Sequence, residues 1–252
     1  MYFPKYDWEF DSLGIYNYRK SGPLQFYFDF VQNNHSLING DIVEAGVYQG
    51  KSLIGMALKL KELGSNKKIY GFDSFHGFPP IYRPEDNHEQ FKKLFERQSI
   101  TENHYKAVEN NRIWKEALSE KKINPATISS SGNFSRTSKA LVEKKIDLLG
   151  LDNIVLIDGP FNITMQDGIG PKEIMCGLMD CDLYQSYLET FHFVWPRLSI
   201  GGLIYLDEYY SLKFPGARIA SDEFIQLNPE AVIHQFKTAP GEFERWGIIK
   251  NS

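Results

Sequence analysis

The stretch Asp41-Ile42-Val43-Glu44-Ala45 runs directly into Gly46-Val47-Tyr48-Gln49-Gly50. It then continues into apolar residues at helical spacing, Leu53, Met56, Ala57, Leu60 and Leu63, which stop at Gly64. A short apolar strand, a loop with two glycines and an amphipathic helix predict one strand–loop–helix unit. Such a strand must be buried on both faces, which calls for a mostly parallel sheet with helices on both sides. The rhythm recurs. Lys68 to Phe72 predicts a strand ending at Asp73, Thr137 to Leu149 a helix, and Asn153 to Ile157 a strand. Ile174 to Met179 predicts a strand ending at Asp180, Leu183 to Trp195 a helix, and Leu203 to Leu206 a strand ending at Asp207-Glu208.

Ligands of such sheets bind outside the carboxyl ends of the strands, where this chain carries acids and glycines. Three nucleotide-binding loops compete for residues 44–52. A P-loop needs Gly-x-x-x-x-Gly-Lys-Ser/Thr, and Gly50-Lys51-Ser52 supplies the end, but the first glycine falls on Ala45. A dinucleotide loop needs Gly-x-Gly-x-x-Gly, and this loop has only two glycines, four residues apart, with Tyr48 and Gln49 between them. That pattern disfavours an NAD-dependent dehydrogenase. Glu44-x-Gly46-x-x-x-Gly50 has the shape of an S-adenosylmethionine loop, in which an acid receives the amino-acid part and no phosphate is present. Glu44, Gly46, Gly50 and Ser52 are therefore the expected cofactor contacts. Asp73 is the expected acceptor for ribose hydroxyls, and Gly159 and Phe161, after the third strand, are the expected adenine contacts.

The remaining sequence bounds partners and compartment. A formal charge of −4 and a pI near 5.9 argue against general affinity for nucleic acid or anionic lipid. No apolar run is long enough for a membrane span, and the N-terminal residues lack the basic start and apolar core of a signal peptide. A cytoplasmic location is expected. Cys176 and Cys181 are too few for a disulfide framework and predict buried thiols. The 14% aromatic content is concentrated before residue 31, from Tyr2 and Phe3 to Phe28 and Phe30. Residues 1–40 are thus an aromatic segment serving as a substrate wall, a dimer surface or core packing. Residues 80–131 turn charged and helical, at 89–97 and 105–122, and read as an insertion or lid within one domain spanning 1–252.

Five ordered segments carry a resemblance: Val43 to Gly50, Gly71 to Pro79, Asp180 to Ser186, Gly201 to Tyr209, and Pro215 to Arg218. Together they resemble the macrocin O-methyltransferase (TylF/MycF) family over roughly residues 40–80 and 134–226. The resemblance implies a Rossmann-like class I methyltransferase that uses S-adenosylmethionine and Mg²⁺ to methylate a hydroxyl. The acceptor it implies is a small molecule, a glycoside or other sugar-bearing compound, and the expected assembly is a homodimer or higher homo-oligomer. Asp180 is implied as metal ligand and general base, with Asp207 and Glu208 completing the ligand set. The family shows Asp-Asp where this chain has Asp207-Glu208. Asp182, just before a helix, reads as a helix-start acid. Two other readings stay open: a metal-independent methyltransferase acting on another hydroxyl or an amine, and a non-catalytic nucleoside-binding module.

Overall fold

The computed structural model describes residues 1–238 and 241–251. Two aromatic-rich helices come first, α1 (Asp7–Leu13) and α2 (Gln25–Asn34), followed by β1 (Asp41–Ala45), α3 (Lys51–Glu62) and β2 (Ile69–Asp73). The insertion contributes α4 (Gln90–Glu96) and α5 (Glu102–Ser119). The chain then forms α6 (Lys139–Leu149), β3 (Ile154–Asp158), α7 (Phe161–Thr164), β4 (Ile174–Met179), α8 (Tyr184–Val194) and β5 (Leu198–Leu206). It ends with α9 (Pro215–Leu227), β6 (Ala231–Phe236) and β7 (Arg245–Lys250). The seven strands lie in the order β3-β2-β1-β4-β5-β7-β6. The first five are parallel, and β7 runs antiparallel between β5 and β6. The α/β sheet expected from the sequence is borne out.

Alternation along the strands divides the core in two. Ile42, Leu203 and Tyr205 pack on the face covered by α2, α3 and α6, whereas Val43, Ile204 and Leu206 pack on the face covered by α8 and α9. The early aromatics belong largely to the first face. Phe10, Tyr18, Tyr27 and Phe28 are buried there, Tyr16 stacks on Phe28 at 5.2 Å, and the Tyr205 hydroxyl donates to the Pro23 carbonyl at 2.6 Å. Burying one such ring removes enough apolar surface to be worth about 1.5–3 kcal/mol, so this segment is an integral part of the core. Tyr2, Tyr6 and Trp8 remain exposed. Cys176 and Cys181 are free and buried, as expected. No helix among the described residues is long and apolar enough to cross a membrane.

The insertion docks beside the sheet. Phe91, Leu94, Ile100 and Val108 pack on Ile219 of α9, His104 Nε2 donates to the Ser211 carbonyl at 2.8 Å, and Asn111 donates to the Leu212 carbonyl at 3.1 Å. Its first residues, Pro80 to Asp86, turn back toward the carboxyl ends of the strands.

At those ends the neighbouring strands β1 and β4 approach tightly. Asp180 N donates to Ala45 O at 3.0 Å. Gly46 follows with φ 93°, and a Cβ there would lie 1.8 Å from the Asp180 carbonyl oxygen. Gly64, at φ 64°, has nothing within 4 Å of such an atom. Gly64→Ala should therefore lose only about 1 kcal/mol, the cost of left-handed backbone. Gly46→Ala should lose about 3 kcal/mol or more, because a backbone collision is added. Urea unfolding midpoints of the two variants check the difference.

Candidate active site

A cavity of about 900 Å³ opens at the carboxyl ends of the parallel strands, and Gly46, Ser52, Asp73, Phe161, Asp180 and Asp207 are on its wall. The ladder places its acids. Asp180 N continues the β1 pairing through Ala45 O, and Asp207 N continues the β4 pairing through Met179 O, also at 3.0 Å. The tips of β4 and β5 are neighbours, so their acids converge. One carboxylate oxygen each from Asp180, Asp207 and Glu208 lie within 4.8 Å of one another.

Glu208 is fixed from below. The Tyr187 hydroxyl donates to its Oε2 at 2.6 Å, and the Glu208 amide donates back to the Tyr187 oxygen at 3.2 Å. Glu208 is buried and does not border the cavity, so Asp180 and Asp207 form the open side of the cluster. Burial pushes the Asp180 carboxyl well above the usual carboxylate range, and the charges of Asp207, Asp182 and Glu44 push it further. Glu208 is raised for the same reasons, with burial again the largest. Such a cluster of hard oxygens is uncomfortable alone and suits a small divalent cation. Arg245, the first residue of β7, brings a guanidinium 3.8 Å from Asp207 Oδ1. An antiparallel strand carries its start to the end where the parallel strands finish.

The expected cofactor residues divide. Gly46, Ser52, Asp73 and Phe161 border the cavity; Glu44, Gly50 and Gly159 do not. Glu44 is fully buried behind Ser52, whose hydroxyl donates to Glu44 Oε1 at 2.7 Å, while Glu44 Oε2 has no partner. Burial raises the Glu44 carboxyl to about 8 against the lowering effect of that hydrogen bond. Gly50 is the N-cap of α3, at φ 75°. The Gly159 amide donates to the Asp73 carbonyl at 3.0 Å. Asp73 shapes the loop as well as facing the cavity: its Oδ2 accepts from the amides of Val47 and Tyr48, both at 2.8 Å, and its Oδ1 from Phe75 at 2.7 Å.

Asp182 differs from its expected role. The N-cap of α8 is Leu183, with no side-chain hydrogen bond, and the Tyr184 amide is served by Asp86 Oδ1 at 2.8 Å. Asp182 instead sits on the cavity wall at φ 60°. Asp86 comes from the insertion, about a hundred residues away in the chain, a separation no local pattern reveals. The rest of the lining is polar and apolar by turns. Arg83 Nη2 donates to Gln185 Oε1 at 2.9 Å, Gln185 donates to Glu189 at 3.0 Å, and Tyr16, Pro23, Leu24, Phe78 and Ile81 supply apolar surface. The aromatic N-terminal segment thus serves both as core and as wall. Arg218 pairs with Asp222 at 2.9 Å.

Comparison with known proteins agrees with this geometry. A family described as "Methyltransferase domain" matches residues 43–209, a span that takes in both the glycine loop and the acidic tips of β4 and β5. Demethyldecarbamoylnovobiocin O-methyltransferase of Streptomyces niveus is 27% identical over 201 residues, covering 78% of this chain and 61% of its own length. Mycinamicin III 3''-O-methyltransferase of Micromonospora griseorubida is 26% identical over 209 residues, covering 77% of this chain and 68% of its own. This chain thus spans about three fifths to two thirds of the relatives' length. The solved structure of the O-methyltransferase NovP superposes with a TM-score of 0.63 at 17% identity, over 97% of this chain and 80% of that one, which establishes the shared fold. The sheet order, the loop after β1 and the extent of the family match agree, and the chain belongs to the Methyltransferase domain family.

Proposed function

We propose that this protein transfers the methyl group of S-adenosylmethionine to a hydroxyl of a small, sugar-bearing acceptor, with Mg²⁺ held by Asp180, Asp207 and Glu208. The observation that carries the reading is the convergence of those three carboxylates beside the cavity that the glycine loop borders. The names of the two relatives support the reaction class and the kind of acceptor.

The residues present fit the metal: three hard oxygen donors lie close enough to share one ion, and two of them face the cavity. When bound, Mg²⁺ lowers the pKa of a hydroxyl it contacts. The protein does the rest by placement. The loop from Gly46 to Ser52 and the side chain of Asp73 bound the cofactor side, with Phe161 as a flat apolar surface for the purine. Glu44 acts from behind, orienting the Ser52 hydroxyl. Asp180, on the open side of the cluster, accepts the acceptor hydroxyl's proton. The hydroxyl oxygen attacks the methyl carbon, the carbon–sulfur bond breaks with its electron pair left on sulfur, and the cationic sulfonium becomes a neutral thioether. The chief contributions are alignment and exclusion of water by Phe78, Ile81 and Tyr16.

The metal-independent alternative rests on one observation, the Arg245 guanidinium beside Asp207, which places a fixed cation at the cluster. Methyl transfer from labelled S-adenosylmethionine to mycinamicin III and to simple glycosides distinguishes the readings. The metal-assisted reading predicts that chelation abolishes transfer and Mg²⁺ restores it. It also predicts that Asp180→Asn lowers turnover at least a thousandfold while S-adenosylhomocysteine still binds. Full turnover in chelator would remove the metal.

Tyr187→Phe should cost about 1–2 kcal/mol in unfolding, since it frees one buried carboxylate oxygen. It should also weaken Mn²⁺ binding roughly tenfold, because Glu208 loses its anchor, an effect on the scale of other losses behind metal ligands. Titration calorimetry reads the second effect, and an unchanged Mn²⁺ affinity would place Glu208 outside the ligand set.

A further inference from the structure

Asp86 sits where the insertion meets the first turn of α8, and it is only 2% exposed. Both of its carboxylate oxygens serve backbone amides: Oδ1 accepts from Tyr184 at 2.8 Å and Oδ2 from Arg83 at 3.3 Å. The start of α9 closes on the same carboxylate. A Cβ on Gly216 would lie 2.1 Å from Asp86 Oδ1 and 2.9 Å from the Tyr184 nitrogen, so the close approach of α8, α9 and Asp86 depends on a residue without a side chain. Arg83 adds a second tie to the same helical turn, its Nε at 3.2 Å and its Nη2 at 2.9 Å donating to Gln185 Oε1. Asp86 and Arg83 both border the cavity.

These ties hold the short loop between the acid at the tip of β4 and the start of α8. One end is fixed by the ladder, where Asp180 N donates to Ala45 O at 3.0 Å. The other end is fixed at Tyr184 by Asp86. Between them Leu183 N donates to Cys181 O at 2.6 Å, closing a tight turn with Asp182 at its centre, where φ is 60°. That hand of turn is strained for a residue with a side chain, and such strain lasts only where the surroundings hold it. The start of α8 has no local cap, since its N-cap Leu183 makes no side-chain hydrogen bond. Leu183 packs instead with Ile128 of the insertion and with Phe214. We propose that Asp86 is a positioning residue for the cation site, acting through the Tyr184 amide on the loop that carries Asp180. Docking of residues 80–86 and assembly of the acidic cluster are then one event. This rests on the metal-assisted reading and adds a coupling to it. A cation that holds Asp180 with Asp207 and Glu208 tightens the Asp86 contact, and the contact strengthens cation binding by the same factor, because coupling between two sites is reciprocal.

The test uses the full chain loaded with S-adenosylhomocysteine, with Mn²⁺ as the probe ion. Hydrogen exchange read by mass spectrometry follows the peptides that carry residues 80–91 and Tyr184, with and without Mn²⁺. Calorimetry gives the Mn²⁺ and S-adenosylhomocysteine affinities of the original protein, Asp86→Ala and Asp86→Asn. In the original protein Mn²⁺ should slow exchange in both peptides by about fivefold or more, the low end of usual couplings. Asp86→Ala should bind Mn²⁺ roughly tenfold more weakly, on the scale of losses behind metal ligands, with S-adenosylhomocysteine affinity nearly unchanged. Asp86→Asn keeps an oxygen for the Tyr184 amide and should restore most of the Mn²⁺ affinity. A residue that only stabilised the fold would lower the melting temperature and leave Mn²⁺ affinity in place. Unchanged Mn²⁺ affinity in Asp86→Ala therefore overturns the proposal, and so does an equal loss of S-adenosylhomocysteine. The exchange arm needs no variant, and it decides even where Asp86→Ala does not fold: Mn²⁺ that binds the original protein but leaves residues 80–91 exchanging as before overturns the coupling alone. An original protein that binds S-adenosylhomocysteine but no Mn²⁺ removes the metal-assisted reading and the coupling with it.

Discussion

Four carboxyl groups, Asp180, Asp182, Asp207 and Glu208, are held at one end of the sheet, and their mutual repulsion is the constraint that the surrounding structure has to contain. Burial and the neighbouring charges together raise Asp180 and Glu208 well above the usual carboxylate range and Asp182 to about 8. Left to side-chain freedom the four would separate. They are held by backbone: the parallel ladder fixes β1, β4 and β5 in register, and each acidic tip is one more rung of it. Backbone hydrogen bonds are individually modest, but a ladder makes them cooperative with the packing of both faces. The sheet that carries these tips is packed by a hydrophobic layer on each face.

The supports come from parts of the chain far apart in sequence. Tyr187 on α8 holds Glu208, Asp86 from the insertion holds the start of α8, and Arg245 from an antiparallel strand faces Asp207. The insertion therefore does two jobs. Its helices pack on α9 and on the loop after β5, while its leading loop becomes cavity wall. The aromatic segment works likewise, filling the sheet's first face with Phe10, Tyr27 and Phe28 and presenting Tyr16 and Leu24 to the cavity. The cavity wall is thereby tied to elements that the fold cannot lose without exposing its core.

Much of this was legible in the chain itself, for local reasons. The β1–loop–α3 unit, β2, β4 and α8 were readable because apolar periodicity and flanking glycines or acids are short-range signals. The glycine loop, the strand-tip acids and the convergence of Asp180, Asp207 and Glu208 followed from them and from the family resemblance. What was not legible depends on contacts between distant segments. Asp182 was read as a helix-start acid because an aspartate before a helix usually is one; only the tertiary arrival of Asp86 frees it. Glu44 was read as facing ligand, whereas a strand buried on both faces turns its side chain back onto Ser52. β5 begins at Leu198, earlier than read, because Gly201 bends within the strand at φ 78° and does not end it. β6 and β7 lie beyond residue 226, where the family resemblance ends, so Arg245 was missed with them.

The central claim is that the converging carboxylates are a cation site. The most direct measurement is anomalous scattering from crystals grown with S-adenosylhomocysteine and Mn²⁺. The account predicts one strong anomalous peak per chain, within bonding distance of Asp180, Asp207 and Glu208, and open toward the cavity. An empty cluster in the presence of saturating Mn²⁺, or a peak held by other residues, would contradict it.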